Sequence, residues 1–173
     1  MNALRLLLAA VAFALVAPAA LGQNNVTCTA ENITLDFGAF DILGGAVLDG
    51  AGSFTVTCVN SVGASRTVVY SAALATAPAR QMAPPSGPDR LSYGVFVDAS
   101  RLQPWGDGTI GTFTITGTLT IPGKSSRTSA PHNYFARITP GGQDVSAASP
   151  GPPPTIYTQT LTVTVTCTPS PPC

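Results

Sequence analysis

The chain carries few charges and a single histidine. Its 173 residues include eight Lys or Arg, eight Asp or Glu and one His, so the formal net charge is zero. The charged residues are scattered, and they form no basic stripe of the kind that binds nucleic acid or an anionic membrane surface. We therefore expect neither of these partners.

Residues suited to catalysis and metal binding are equally scarce. His132 with Ser126 or Ser129 and an aspartate would resemble a catalytic triad, but the GxSxG turn is absent. The aspartates mostly flank turns and do not suggest the carboxylate pair of a glycosidase. No CxxC pair occurs, so a zinc site would lack ligands. We expect a polar loop histidine, no enzyme activity, no cofactor and no metal.

One long apolar run is present, and it lies at the N-terminus. Residues 1–22 combine Arg5, the run LLLAAVAFALVA and the small residues APAALG. This pattern is typical of a secretory signal peptide, and the run is short for an uncleaved anchor. We expect cleavage after Gly22, with Ala19 as the alternative. The mature chain is then a single exported domain, residues 23–173, with no membrane span.

The four cysteines, Cys28, Cys58, Cys167 and Cys173, all lie in the exported part. An even count in an oxidising compartment indicates two disulfides, with three possible pairings. Cys28 begins the first strand region and Cys58 ends the second. A chain that returns beside its start can bring their Cα atoms to the required distance of roughly 5–6 Å. We favour Cys28–Cys58, and Cys167 and Cys173 then bridge a small loop, stay free or pair between chains.

Alternation of apolar and polar residues dominates the mature chain, and helical periodicity is nearly absent. About seven strands separated by glycine and proline turns predict an all-β sandwich, with exposed loops over 75–89 and 139–155. RTVVYSAAL is a fuller apolar run and predicts a strand that is buried on both sides. The predicted strands are NITLDFG (32–38), SFTVTCVN (53–60), RTVVYSAAL (66–74), LSYGVFV (91–97), TIGTFTITGTLTIP (109–122), NYFARI (133–138) and a closing run.

That closing run is TQTLTVTVTC (158–167), in which threonine alternates with Leu161, Val163, Val165 and Cys167. The alternation predicts a strand with one apolar face and one solvated face. The tail TPSPPC (168–173) cannot supply a partner strand, because its prolines lack N–H donors. The strand is therefore expected at a sheet edge, where unpaired backbone groups invite pairing with another chain.

The segment WGDG (105–108) predicts a tight Asp-Gly turn, with Trp105 covering the end of the sandwich. Asp98 and Asp107 could instead contribute to a calcium or sugar loop. A calcium site needs more oxygen ligands at set spacing, so we favour the turn.

Several segments together resemble the spore coat protein U domain family, which occurs in secreted coat proteins and in subunits of archaic chaperone–usher pili. LSYGVFVDASRLQPWGDGTIGT is the most specific of them, and the resemblance covers nearly the whole mature chain. The segments are Cys28 with FGAFD (37–41), SFTVTC ending in Cys58, LSYGVFVDASRLQPWGDGTIGT (91–112) and IYTQTLTVTVTC (156–167).

The resemblance implies an immunoglobulin-like β-sandwich that is incomplete because it lacks its final strand. A periplasmic chaperone fills the resulting groove during export through an usher, and the N-terminal strand of a neighbouring subunit later replaces it. We expect Leu161, Val163 and Val165 to line this acceptor edge. Phe54 and Val56 are expected to form the core beside it.

One feature departs from the family pattern. Such pilins carry a longer alternating donor stretch before the first cysteine, whereas only QNNVT (23–27) separates the predicted cleavage site from Cys28. We therefore expect a secreted structural subunit that accepts a strand but does not donate one, as at a fibre tip, in adhesion or biofilm formation. The alternative is a self-contained secreted coat or carbohydrate-binding module that does not polymerise.

Overall fold

A computed structural model describes residues 25–31, 33–35, 37, 45–75, 80–84, 87–109, 111–123, 126–145 and 159–170. The predicted signal peptide and Cys173 lie outside these ranges. The described residues form eleven strands and no helix, and accordingly no helix that could span a membrane. The strands are β1 (Val26–Ala30), β2 (Ile33–Leu35), β3 (Leu48–Asn60), β4 (Arg66–Leu74), β5 (Gln81–Met82), β6 (Leu91–Ser92), β7 (Gly94–Phe96), β8 (Ile115–Ile121), β9 (Ser126–Ile138), β10 (Gln159–Leu161) and β11 (Val163–Ser170).

The strands form two main antiparallel sheets. One has the order β1-β3-β9-β7 and the other the order β11-β4-β8. Two short antiparallel ladders, β2–β10 and β5–β6, complete the architecture. This arrangement confirms the predicted all-β sandwich.

The core lies between the two main sheets, on the apolar faces that the alternation predicts. Val56 and Cys58 of β3 are fully buried, as are Val68 and Leu74 of β4. Burying one such aliphatic side chain contributes about 1.5–3 kcal/mol, so the faces of the strands dominate the stability of the sandwich.

Trp105 lies in this core rather than over its end. Its side chain is 1% exposed and stacks on Phe54, with ring centroids 5.1 Å apart. Its indole Nε1 donates a hydrogen bond of 3.0 Å to the carbonyl oxygen of Ala72 in β4. Since Phe54 belongs to one sheet and Ala72 to the other, Trp105 joins the two sheets.

The disulfide Cys28–Cys58 is present, as predicted. The two residues are direct partners in the β1–β3 ladder, with Cα atoms 4.0 Å apart. The bond closes a loop over a sequence separation of 30 residues. A loop of this size stabilises the fold by on the order of 3 kcal/mol in the chain-entropy account.

Several predicted strands differ from those observed in length, division or burial, and RTVVYSAAL and the strand at 133–138 are two of them. RTVVYSAAL was predicted to be buried on both sides, but β4 alternates and leaves Val69 49% exposed. The prediction was wrong because one face of the β11-β4-β8 sheet is solvated. The strand predicted at 133–138 begins earlier, at Ser126, since β3 and β9 pair along their whole length.

Candidate functional site

The last strand, β11, carries the alternation on which the sequence prediction rests. Val163 is buried, and Val165 and Cys167 are half-buried and pack against the core. Thr164, Thr166 and Thr168 are exposed. The strand therefore presents one apolar face to the interior of the sandwich.

One edge of β11 is paired and the other is not. On the paired edge, β11 runs antiparallel to β4 from Val163, opposite Leu74, to Ser170, opposite Thr67. Within the described ranges, β11 is the terminal strand of its sheet. Its outer backbone groups are thus available to a further strand.

The first strand, β1, presents a second open edge. It pairs with β3 and is the terminal strand of the other sheet, as far as the structure describes the chain. Val26 and Cys28 are buried on its inner side, where Ala30 also packs against the core. β1 therefore resembles β11: its apolar face covers the core and one row of its backbone groups lacks a ladder.

These two edges face each other. Cα atoms of β1 and β11 approach within 8 Å, and the Cys167 thiol lies 3.7 Å from the carbonyl oxygen of Val26. Paired strands lie about 4.7–4.9 Å apart, so an inserted strand requires about twice that separation. β1 and β11 form no ladder with each other in the described part of the chain, and an approach within 8 Å is too narrow to hold a third strand without some opening.

The same two chain segments are joined at one end by the β2–β10 ladder. Leu161 pairs with Ile33, and Gln159 pairs with Leu35. β2 follows β1 after two residues, and β10 precedes β11 with only Thr162 between them. Continuing the ladder's register would place Thr168 opposite Val26, and the Cys167 thiol does approach Val26 there, but β1 and β11 form no ladder among the described residues. The gap between β1 and β11 is thus closed at the β2–β10 end.

The predicted acceptor residues occupy different parts of this gap. Val163 and Val165 lie on the β11 edge, whereas Leu161 lies in β10 at the closed end. Val56 is opposite Ala30 of β1, and Phe54 lies two residues further along β3, against Trp105. Four of the five predicted residues therefore lie beside the β1–β11 gap or at its closed end. The fifth, Phe54, lies deeper in the core.

Sequence reasoning missed the opposite wall of the gap, which β1 forms with Val26, Cys28 and Ala30. The alternation in VTCTA, together with the favoured Cys28–Cys58 bond, could have placed this strand beside β3. Sequence reasoning also left open whether Cys167 is bonded. In the structure Cys167 is a free, half-buried thiol. Its possible partner Cys173 lies outside the described residues.

His132 was expected in a polar loop, and that expectation is wrong. It lies within β9 opposite Phe54 of β3, and its ring is half-buried between the sheets. Its Nε2 is 2.6 Å from the Tyr70 hydroxyl of β4. Because Pro131 and Asn133 on either side are exposed, the alternation of β9 turns His132 inward.

The aspartates near WGDG serve their own loops. Asp107 accepts hydrogen bonds from the backbone N–H and hydroxyl of Thr109, and these hold its pKa below the usual value. Asp98 accepts a hydrogen bond from Ser100 and from the backbone N–H groups of Leu102 and Gln103. The described residues contain no group of three or more His, Cys, Asp or Glu that could hold a metal.

Comparison with known families agrees with the sequence resemblance. A family model described as Spore Coat Protein U domain matches residues 14–164, which is most of the chain. No curated protein matches the chain significantly.

Proposed function

The chain belongs to the spore coat protein U domain family of pilus and coat-type structural subunits, and we propose that it is the strand-accepting subunit of a chaperone–usher surface fibre. The observation that carries the proposal is the pair of open edges, β1 and β11, which face each other across the apolar interior. A strand placed there would hydrogen-bond to both sheets at once. It would complete an otherwise incomplete immunoglobulin-like sandwich.

The chemistry of the gap supports a donor with alternating apolar residues. Val163, Val165 and Cys167 form one wall and Val26, Cys28 and Ala30 the other, all on inner faces. Backbone pairing with both edges supplies affinity, and every second donor side chain packs between the walls and sets the register. Polar side chains of the donor face solvent, like the threonines of β11.

The export route follows from the same reasoning. A free chain with two open edges tends to aggregate, so a periplasmic chaperone would cover the gap until an usher delivers the subunit to the surface. Signal-peptide cleavage near Gly22 would begin this route. The neighbouring subunit would then supply the permanent strand, and the assembled fibre would act in adhesion or biofilm formation.

The N-terminal segment favours an acceptor without a donor strand, as at a fibre tip. Val26–Ala30 is already paired with β3. The carbonyl oxygen of Asn25 accepts hydrogen bonds of 2.8 and 2.9 Å from the N–H and hydroxyl of Ser61. With cleavage near Gly22, too few residues remain to reach a second subunit.

The test is complementation of the mature chain by a synthetic donor peptide. A peptide of eight residues that alternates valine and threonine matches the length of β11 (8 residues), at about 3.3 Å per residue. At a free concentration a hundred times its Kd, a bound peptide should raise the free energy of unfolding by about 2.7 kcal/mol. Urea unfolding with and without the peptide measures this, and the control is a peptide of the same composition with its valines grouped together.

The second candidate is a self-contained coat or binding module. The β2–β10 ladder favours it, because that ladder already closes one end of the gap without any partner. Such a module would unfold cooperatively on its own and gain no stability from the alternating peptide. That result would overturn the strand-accepting proposal.

A further inference from the structure

The strand β8 forms the edge of its sheet that lies opposite β11. It pairs with β4 from Ile115, opposite Ala72, to Ile121, opposite Arg66, and the register is unbroken by a bulge. Within the described ranges, no strand pairs with the other edge of β8. This open edge is separate from the β1–β11 gap, because β4 lies between β8 and β11.

The hydrogen bonds of the sheet show which backbone groups of β8 point outward. The N–H of Ala75 donates to the carbonyl oxygen of Thr162 at 3.1 Å, and the β4–β11 register makes these residues direct partners. Hydrogen-bonded pairs alternate along an antiparallel ladder, so odd-numbered residues of β4 bond to β11 and even-numbered ones to β8. The even-numbered residues of β4 lie opposite odd-numbered residues of β8. The N–H and C=O groups of Thr116, Thr118 and Thr120 therefore point away from the sheet.

Other edges of the sandwich are protected, whereas β8 is not. The segment around Trp105 covers β7, since the Trp105 N–H donates to the Val95 carbonyl oxygen at 2.8 Å. β9 pairs with β7 only over 135–137, and exposed Pro131 interrupts the remainder of that side. Proline, charge and bulges are the usual guards of an edge strand, and β8 has none of them. Its edge is thus suited to pairing with another strand.

The sequence of β8 makes it complementary to itself. ITGTLTI reads nearly the same in both directions about Thr118. Antiparallel pairing of two copies centred on Thr118 places Thr116 opposite Thr120 and Ile115 opposite Ile121. Every outward N–H and C=O group of both copies then has a partner. Because β8 carries no charge, no like charges meet across the twofold axis.

The side chains also fit this register. The hydroxyls of Thr67 and Thr120 lie 3.0 Å apart on the solvated face, so opposed threonines already form hydrogen bonds in this sheet. On the inner face, Gly117 of one copy would lie opposite the half-buried Leu119 of the other. The ring of Tyr70 lies over Gly117, so Leu119 of the second copy would pack against that ring.

We propose that β8 is a self-association site at which a second copy of this chain pairs antiparallel about a twofold axis at Thr118. The result is one continuous sheet in the order β11-β4-β8-β8-β4-β11. Pairing of two seven-residue strands makes a smaller contact than a standard protein interface, so the association is weak and depends on concentration. It joins two subunits side by side and leaves the β1–β11 gap of each one open to a donor strand.

Sedimentation of the mature chain over a range of concentrations tests the association. We expect a monomer–dimer equilibrium that Thr118→Pro weakens by about tenfold or more, because it removes an outward N–H while the bonds to β4 remain. Thr118→Val is the control, since it retains the backbone groups and should still dimerise. If Thr118→Pro fails to fold, Thr118→Lys replaces it and places two like charges together on the axis. A monomer at all concentrations up to roughly 1 mM, or equal association of the wild-type chain and the folded variant, overturns the proposal.

Disulfide trapping tests the register in a chain that also carries Cys167→Ala and Cys173→Ala. Thr118→Cys should yield a covalent dimer on mild oxidation, because the axis places the two Cα atoms about 5.5 Å apart. Thr116→Cys is the matched control, since its two copies would lie four residues apart along the strands, roughly 13 Å. It should not cross-link alone but should do so when mixed with Thr120→Cys. Non-reducing electrophoresis measures the dimers, and equal cross-linking of the Thr116 and Thr118 variants would contradict the proposed pairing.

Discussion

At the residue scale, the contact between His132 and Tyr70 makes the stability of the fold depend on pH. Partial burial lowers the pKa of His132 below 6.5, and burial raises the pKa of Tyr70 above 10.0. Both shifts favour the neutral pair, in which the Tyr70 hydroxyl donates to the imidazole. As the pH falls through about 6.5, the unfolded chain therefore takes up this proton more readily than the folded His132 does.

We accordingly expect the free energy of unfolding to fall as pH drops from about 6.5 towards the lower folded pKa of His132. One proton limits the slope to about 1.4 kcal/mol per pH unit, and the partial exposure of the ring keeps the effect below that limit. Urea unfolding at about pH 7.5 and 5.5 measures it. His132→Gln keeps a polar group beside Tyr70 that does not titrate. The free energy of unfolding of this variant should therefore not show the His132-dependent fall between about pH 7.5 and 5.5. The same slope in both proteins would show that another group is responsible.

The residues that sequence reasoning placed correctly are those whose role follows from a local pattern. Val56 and Cys58 alternate with Thr55 and Thr57, which are less buried, and the alternation alone assigns the first two to the core. Trp105 and His132 were misplaced, because their positions depend on the opposite sheet. Trp105 is drawn inward by Phe54 and the Ala72 carbonyl oxygen, and His132 by Tyr70. None of these three partners is near Trp105 or His132 in sequence.

At the element scale, the β2–β10 ladder controls how much of the gap a donor can occupy. It pairs Ile33–Leu35 with Gln159–Leu161 over a sequence separation that no local pattern encodes. The strands themselves were predictable from alternation, but their partners were not. For the same reason the terminal run was predicted as one edge strand, whereas the structure divides it into paired β10 and half-open β11.

Locking this ladder tests its control of donor length. Thr34 and Thr160 are direct partners in the register, so Thr34→Cys with Thr160→Cys places two thiols opposite each other. In the oxidised variant, affinity for alternating peptides should rise with peptide length up to 8 residues, the length of β11, and then level off. After selective reduction, longer peptides should bind more tightly, because β2 and β10 can separate. Peptide Kd against length measures both states, and an identical length dependence would show that the ladder sets no limit.

At the scale of the whole molecule, the two sheets are held together on one side by the core and remain unjoined by a ladder at β1 and β11 within the described residues. The family resemblance predicted an open edge along the terminal strand, but not that β1 faces it. The family match over residues 14–164 includes β1 and the start of the terminal run. The sequence could not predict how far the gap closes without a donor. The distance between β1 and β11 depends on how strongly core contacts draw the two sheets together against the cost of leaving their edge backbone groups unpaired. Both effects arise only in the folded chain.

The disulfide anchors one wall of the gap, and its removal links stability to strand acceptance. Cys28→Ala with Cys58→Ala should lower the free energy of unfolding by on the order of 3 kcal/mol, since the unfolded chain loses its cross-link. Because β3 is the one strand that pairs with β1 in the described structure and the disulfide joins these two strands, the variant should also bind the alternating peptide more weakly. Urea unfolding and peptide titration measure the two effects, with Cys167→Ala as the control that leaves the disulfide intact. Reduced stability with unchanged peptide binding would show that β1 does not form a wall of the acceptor gap.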